Sequence, residues 1–440
     1  MLSGHPLKAI ILFALPLIAT GVLQQSFNSV DIAIAGRYVG HKALAAVGSN
    51  GPVIGLIINM FIGLAVGVNV VIANYIGQGN KERVKRAVGA SAFLSLVSGV
   101  IMLVTTIIVA RPLLKALDTP AEVLDQAVEY LRIIGYGMPF MIIYNFGAAA
   151  LRSIGDTKRP FYILLVTGCI NVGLNFMFVA GMGMGVEGVA WGTFIANVIN
   201  AFSVTYLLIK SGGDVTLYPS LVRPFKEELG KVCRIGLPAG LQATVFSFSN
   251  VFILSAINSF GALASAGSAA ALNYEVYTYY VISAFAQTAT AFTGQNYGAG
   301  LTHRIRRIFL LCLVMSVVSS GALAAIIAWQ NHFFLSIFSS DASVLDFGSV
   351  RILTVLLFQF IACYYEISGA TMRGMGHSMT PALITIGGTC LLRLLWVGFF
   401  PADASFGALL TVYPVSWILT DVMMLLAFHR ITRHLKGWKE

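Results

Sequence analysis

A chain of 440 residues that is 57% hydrophobic and only 10% charged lacks the composition of a water-soluble domain, where roughly a quarter of residues carry charge. Its 28 Lys and Arg against 18 Asp and Glu leave a net charge of +10. In a membrane chain that excess reads as an orientation signal rather than as a nucleic-acid-binding surface.

Apolar stretches long enough to cross about 30 Å of hydrocarbon recur at 7–35, 50–76, 87–110, 126–149, 160–181, 187–209, 233–257, 264–293, 308–328, 350–371, 380–400 and 406–428. They predict an all-α integral membrane protein of about twelve spanning helices. The first run is too long for a signal-peptide core and is expected to stay as the first span.

That first span ends in SFNSVDIAIAG, which puts Asp31 near its outward end. A carboxylate at the centre of a spanning helix costs about 2.5–3.5 kcal/mol on insertion scales, so Asp31 needs partners. The fourth span, with YGMPFMIIYNF, supplies Met138, Met141 and Tyr144 as soft, adaptable walls for a varied ligand. It also spaces Glu129 and Arg132 for an i,i+3 pair. The fifth, GCINVGLNFMF, places Asn171 and Asn175 on one helical face, and the sixth adds Thr193 in AWGTFIAN. If these three spans converge, Asp31, Asn171, Asn175 and Thr193 offer oxygen ligands to a proton or a hard monovalent cation such as Na⁺. The plainer reading is a polar network that only pins the helices together.

In the second half, LNYEVYTYYVISAFAQ surrounds Glu275 with Tyr274, Tyr277, Tyr279 and Tyr280. Such an acidic, aromatic surface suits an amphipathic cation, although membrane aromatics also serve as interface anchors. Glu366, Arg393 and Asp421 lie in the tenth, eleventh and twelfth spans, where Arg393 could reach either acid.

The halves repeat with a period of about 222 residues: Leu15-Pro16 matches Leu237-Pro238, Asn28 matches Asn250, and Asn74-Tyr75 matches Asn296-Tyr297. Arg152-Ser-Ile-Gly155 followed by Pro160 matches Arg373-Gly-Met-Gly376 followed by Pro381, at 221. Two six-helix lobes are therefore expected at 1–210 and 233–440, joined by a cytoplasmic linker at 211–232. Because six is even, the lobes should be related by a pseudo-two-fold axis along the membrane normal.

Basic residues cluster at every second connection, and 21 of the 28 fall on one side, leaving only Arg37, Lys42, Arg111, Lys115 and Arg351 at the alternate connections. Both termini are thus expected in the cytoplasm of a cell-membrane protein. The glycine-rich stretches GQGNKERVK and GQNYGAG are not GxxxxGK[ST], and HExxH, GxSxG and CxxC are absent. No enzymatic or nucleotide site is read from the chain, and the five scattered cysteines have neither metal nor disulfide spacing. Transport would then run on an ion gradient, with no cofactor.

The stretches FALPLIATGVLQQSFNSVDIAIAGRYVGHKALAAVG, GLAVGVNVVIANYIGQGN, LRSIGDTKRP, TFIANVINA and GQNYGAG resemble the multidrug and toxic compound extrusion (MATE) family. The resemblance implies two six-helix bundles around a V-shaped cavity, with export of amphipathic, often cationic compounds against inward Na⁺ or H⁺. It carries a cation site onto Asp31, Asn171 and Thr193, with Asn175 at a position that is Asp in some members and Asn in others. An acid that other branches carry in the seventh span is missing from LPAGLQATVFSFSNVFIL. A lipid-linked precursor flippase of the same superfamily is the alternative; it would line its cavity with cations, of which the first-half spans offer little beyond Arg132. The partners expected are small amphipathic molecules and the bilayer, with the protein a monomer.

Overall fold

The computed structural model describes residues 1–116, 119, 121–401 and 404–435, with only the backbone of 41–45, 48, 49, 52 and 53. The described residues form twelve long helices and no strand. These are α1 (Pro6–Ile34), α2 (His41–Gly77), α3 (Lys81–Ala116), α4 (Ala121–Ser153), α5 (Lys158–Asn175) and α6 (Val186–Lys210). After a 3-10 turn at Pro219–Leu221 come α7 (Lys226–Asn258), α8 (Ala262–Gly298) and α9 (Thr302–Trp329). The last three are α10 (Ala342–Gly374), α11 (Met379–Gly398) and α12 (Phe406–Thr432).

Eleven of the twelve are long and apolar enough to cross a membrane, and α8 is the exception. It is 37 residues long, but Ser268, Glu275, Thr278, Thr288, Thr290, Thr293, Gln295 and Asn296 along it are all buried. A spanning helix can carry that many polar groups only when protein, not lipid, surrounds them.

Several helices depart from α geometry where the sequence is busiest. Single π turns extend α1 at Ala35–Val39 and α5 at Phe176–Gly181, and another interrupts α11 at Ile386–Leu391. α10 is broken by a π turn at Ile352–Leu356 and a 3-10 turn at Gln359–Ala362. The repeat is visible in the helix stops: Gly155 and Gly376 close the matching Arg-x-x-Gly motifs at φ +95° and +89°, left-handed values that favour glycine.

The contacts divide the chain into two compact units, Ala19–Gly240 and Met1–Ile18 with Leu241–Glu440. The division runs through α1 and α7, two or three residues past Pro16 and Pro238. Each unit thus holds the opening turns of the other repeat's first helix. In one unit, Ile10, Phe13, Ala14 and Leu17 join a core with Phe285, Ala289 and Phe292, and the Phe13 and Phe292 rings meet edge to face at 5.5 Å.

In the other, α7 packs on α2 through paired glycines. Gly63 and Gly67 on α2 and Gly236 and Gly240 on α7 are each spaced i,i+4. A Cβ at Gly63 would strike the backbone of Gly240, and one at Gly240 the backbone of Met60. Lipid supplies no hydrophobic force between helices, so such backbone approach is how apolar segments gain packing energy. Above the stripe, Lys231 Nζ donates to Tyr75 Oη at 3.0 Å and to Glu227 Oε1 at 2.9 Å, and Arg83 Nη1 donates to the same carboxylate at 2.6 Å.

Gly63→Val should force the two helices apart at a cost of about 1–3 kcal/mol, read as a lower thermal midpoint in detergent. Gly230→Ala is the matched control on α7: a Cβ there meets nothing within 4 Å, and Ala is the better helix former, so the midpoint should hold or rise.

Candidate cation site

Asp31 lies one turn before the π turn that ends α1, and Asn175 is the last α-helical residue of α5 before its own π turn. Tyr38 and Phe176, one from each π turn, pack edge to face at 5.9 Å. Single π turns inside helices are frequent at functional sites. Here they sit immediately beyond the polar residues of both helices.

The structure brings all four polar residues read from the first half together. Asn175 Nδ2 donates to Asp31 Oδ1 at 2.6 Å. Asn171 satisfies its neighbours when its amide nitrogen faces Asp31 Oδ1, 3.0 Å away, and its oxygen accepts from the Thr193 backbone N–H at 3.1 Å. The Thr193 hydroxyl donates to Val189 O at 3.1 Å, one turn back on α6. Both asparagines are buried, Asn175 completely. Its Oδ1 has no hydrogen-bond partner, an expensive state for a buried acceptor.

Two glycines that the sequence reading passed over make this convergence possible. A Cβ at Gly168 of α5 would overlap the Phe27 ring of α1, and one at Gly192 of α6 would overlap Asn175 Oδ1. The absent side chains are the slots into which the ring and the amide fit. Tyr130 of α4, buried, lies within electrostatic range of Asp31 and was also missed. A lone tyrosine in an apolar helix gives no sequence signal of the face it occupies.

As a chemical arrangement, the cluster is a carboxylate whose hydrogen bonds come from neutral amides, beside an orphaned amide oxygen and a hydroxyl. Its oxygens fit a proton or a hard cation. Among the described residues no Lys, Arg or His pairs with Asp31.

The second-half candidates are placed otherwise. Glu275 is buried and both its oxygens are taken by Arg351, Nε at 2.6 Å and Nη2 at 2.9 Å. Arg351 also donates to Ser268 Oγ at 2.7 Å, and Gln359 Nε2 donates to Glu275 O at 3.2 Å. Arg351 is thus an interior residue of α10, where the charge pattern suggested a connection. Glu275 is a structural partner for it instead of a free acid for a ligand.

Tyr274 donates to Phe334 O at 2.7 Å and packs on the Phe334 and Phe338 rings; Tyr277 is half-buried on the same helix. Met138 is 1% exposed in the core of its unit, and Tyr144 donates to Pro160 O at 3.0 Å. Neither presents its side chain to a ligand in this arrangement. Met141 lines a small crevice, with Ile58, Phe61, Ile62 and Asn145. Glu129 and Arg132 form no ion pair among the described residues; Arg111 and Asp125 pair nearby instead. Asp421 accepts the Tyr365 backbone N–H at 2.9 Å, a cap for the broken α10, and Arg393 reaches neither Asp421 nor Glu366.

The sequence model of the MatE family matches residues 16–190 and 238–397. The chain belongs to the MATE family of multidrug efflux transporters. It is 29% identical over 388 residues to a probable multidrug resistance protein, YoeA of Bacillus subtilis, covering 86% of this chain and 83% of that one. To a probable multidrug resistance protein NorM of Thermotoga maritima it is 28% identical, covering 86% and 82%. Its fold matches the outward-facing structure of a MATE multidrug resistance transporter at TM-score 0.90 and 25% identity, over 99% of this chain and 98% of that one. The two matched blocks begin at Pro16 and Pro238, so the family pattern itself follows the internal repeat. This MATE protein is therefore a multi-pass membrane protein of two related halves.

Gly192→Ala should expel the Asn175 amide from its slot. A hydrogen bond to a charged group is worth about 1.5–3 kcal/mol, and its loss should lower the thermal midpoint in detergent. Glu275→Gln should strand the Arg351 charge, which costs about 3–5 kcal/mol when a buried pair loses one partner. The expected readout is a lower thermal midpoint in detergent.

Proposed function

We propose that this transporter exports amphipathic organic cations in exchange for inward H⁺ or Na⁺, with Asp31 as the coupling residue. The observation that carries the reading is the uncompensated carboxylate: amides hold Asp31 in place, while no basic side chain among the described residues neutralises it. A charge left in this state in a membrane protein is a place for an ion to arrive and leave.

In the cycle, a cation or proton taken up at Asp31 neutralises the carboxylate and draws on the free Asn175 Oδ1. It thereby changes how α1 packs on α5 and α6, and lowers the affinity for the exported compound. Coupling is reciprocal, so the compound weakens ion binding by the same factor. One elementary charge moving inward is worth about 2.3 kcal/mol per 100 mV, enough for roughly a fiftyfold gradient of a neutral solute; a singly charged organic cation leaving in the same cycle cancels that charge, and its export runs on the ion's concentration gradient. The positive-inside pattern supports a cell-membrane protein with both termini in the cytoplasm and Asp31 towards the outer face. The multidrug relatives do not favour the lipid-linked precursor flippase, and the function needs no second copy of the chain.

The test is export of a fluorescent cationic dye from proteoliposomes under a pH gradient or a Na⁺ gradient imposed separately. Asp31→Asn should lose driven export at least tenfold while keeping dye binding, and the gradient that drives the wild type names the ion. Full driven export in the variant would remove Asp31 from the coupling step.

A further inference from the structure

The second half holds a buried charge that this cycle does not use. Arg393 of α11 is 1% exposed. Its Nη1 donates to Asn250 Oδ1 of α7 at 2.9 Å and its Nε to Ser416 Oγ of α12 at 3.2 Å. The guanidinium lies over the Tyr413 ring at 4.5 Å and the Phe246 ring at 5.1 Å. Among the described residues no carboxylate comes within ion-pair distance of it, and its buried Nη2 has no hydrogen-bond partner. A lone cation in such a place is costly, so its position asks for a reason.

The internal repeat supplies one. α7, α11 and α12 are the counterparts of α1, α5 and α6, the three helices that meet at Asp31. Asn250 is the period mate of Asn28, and Ile253 is the mate of Asp31, both at 222. Along α5 and α11 the matched prolines, Pro160 and Pro381, are 221 apart. The π turn at Ile386–Leu391 then adds one residue ahead of Arg393. From there the offset is 222, and Arg393 falls on the place of Asn171.

Where the first half has a carboxylate and an amide, the second has Ile253, fully buried, and a guanidinium. The same three helices are joined in both halves, by Asp31 with Asn171, Asn175 and Thr193 in one and by Asn250–Arg393–Ser416 in the other. The first junction is anionic and open to an ion. The second is cationic, and a guanidinium keeps its charge at any physiological pH.

We propose that Arg393 is a tethered substitute for the coupling cation, so that the second half is fixed in the ion-occupied arrangement and each transport cycle moves the single ion bound at Asp31. Arg393 is then a positioning residue that sets the number of ions per substrate. The inference rests on the reading of Asp31 as the coupling site.

The test is the number of ions moved per dye molecule, taken from the gradient at which dye flux reverses in proteoliposomes. The wild type should give one, and Asp31→Asn none. Ile253→Asp with Arg393→Asn rebuilds an acid and an amide in the second half and should raise the ratio to two; Ile253→Asp alone, its carboxylate met by Arg393, should leave it at one. A purely structural Arg393 would lower yield or thermal midpoint in the double variant without raising the ratio, and a folded double variant that stays at one overturns the proposal. Should the double variant not fold, the first pair decides. A wild-type ratio of two that falls to one in Asp31→Asn overturns the role of Arg393 and leaves Asp31 standing. A ratio unchanged by Asp31→Asn overturns the reading of Asp31 and the proposal with it.

Discussion

A carboxylate within a spanning segment has to be met by protein donors, because lipid offers none. Around Asp31 that demand shapes three helices at once. The two amides that answer it sit on one face of α5, and they reach it only because Gly168 lets the Phe27 ring lie against the α5 backbone and Gly192 leaves room for Asn175. The donors are neutral, so they fix the carboxylate in space without cancelling its charge. Geometry is thereby settled by hydrogen bonds, while the charge is left without a basic partner among the described residues.

Much of this was legible in the chain. Hydrophobic length gave the helices, and the 222-residue period gave the two related halves. The i,i+4 spacing of Asn171 and Asn175 put both on one face, and an acid in an apolar run is rare enough to single out Asp31. What stayed hidden depended on contacts distant in sequence. Glu275 sits among four tyrosines and reads locally as a ligand surface, but its partner Arg351 is 76 residues away on α10. Arg351 in turn resembles a connection residue, because positive-inside counting cannot distinguish a charge at a helix end from one sealed inside the bundle. The glycine stripes of α2 and α7 were equally silent, since a missing side chain has meaning only once the facing backbone is known.

The division of the chain through α1 and α7 follows from local rules as well. A proline inside a helix removes one backbone hydrogen bond and crowds the preceding turn, and Pro16 and Pro238 occupy matching positions. Beyond each, the helix changes the company it keeps: Phe13 packs on Phe292 before Pro16, and Asp31 meets Asn175 after it. The segment of α1 that carries Asp31 therefore continues, past Pro16, into the segment that packs in the other unit. The glycine contacts of Gly236 and Gly240 hold the corresponding opening segment of α7 tightly to α2, whereas Ala14 occupies the period position of Gly236 on α1. The two joints are thus alike in position, and the backbone approach that glycine permits is available to α7 at a place where α1 carries a methyl group.

The same divergence governs the polar junctions. A duplicated architecture starts with two equivalent meeting points of three helices, and each must satisfy its polar groups within the bundle. One way is to hold an acid among neutral donors, which leaves its charge in place. The other is to fill the space with a permanent cation clamped between Tyr413 and Phe246, where cation–π attraction and two hydrogen bonds offset part of the burial cost. The first junction holds a carboxylate whose hydrogen bonds come from neutral amides. The second holds a guanidinium, which keeps its charge at any physiological pH. A single π turn in α11 is enough to bring Arg393 into that register, so a one-residue shift in backbone pitch separates a junction built on a carboxylate from one built on a guanidinium.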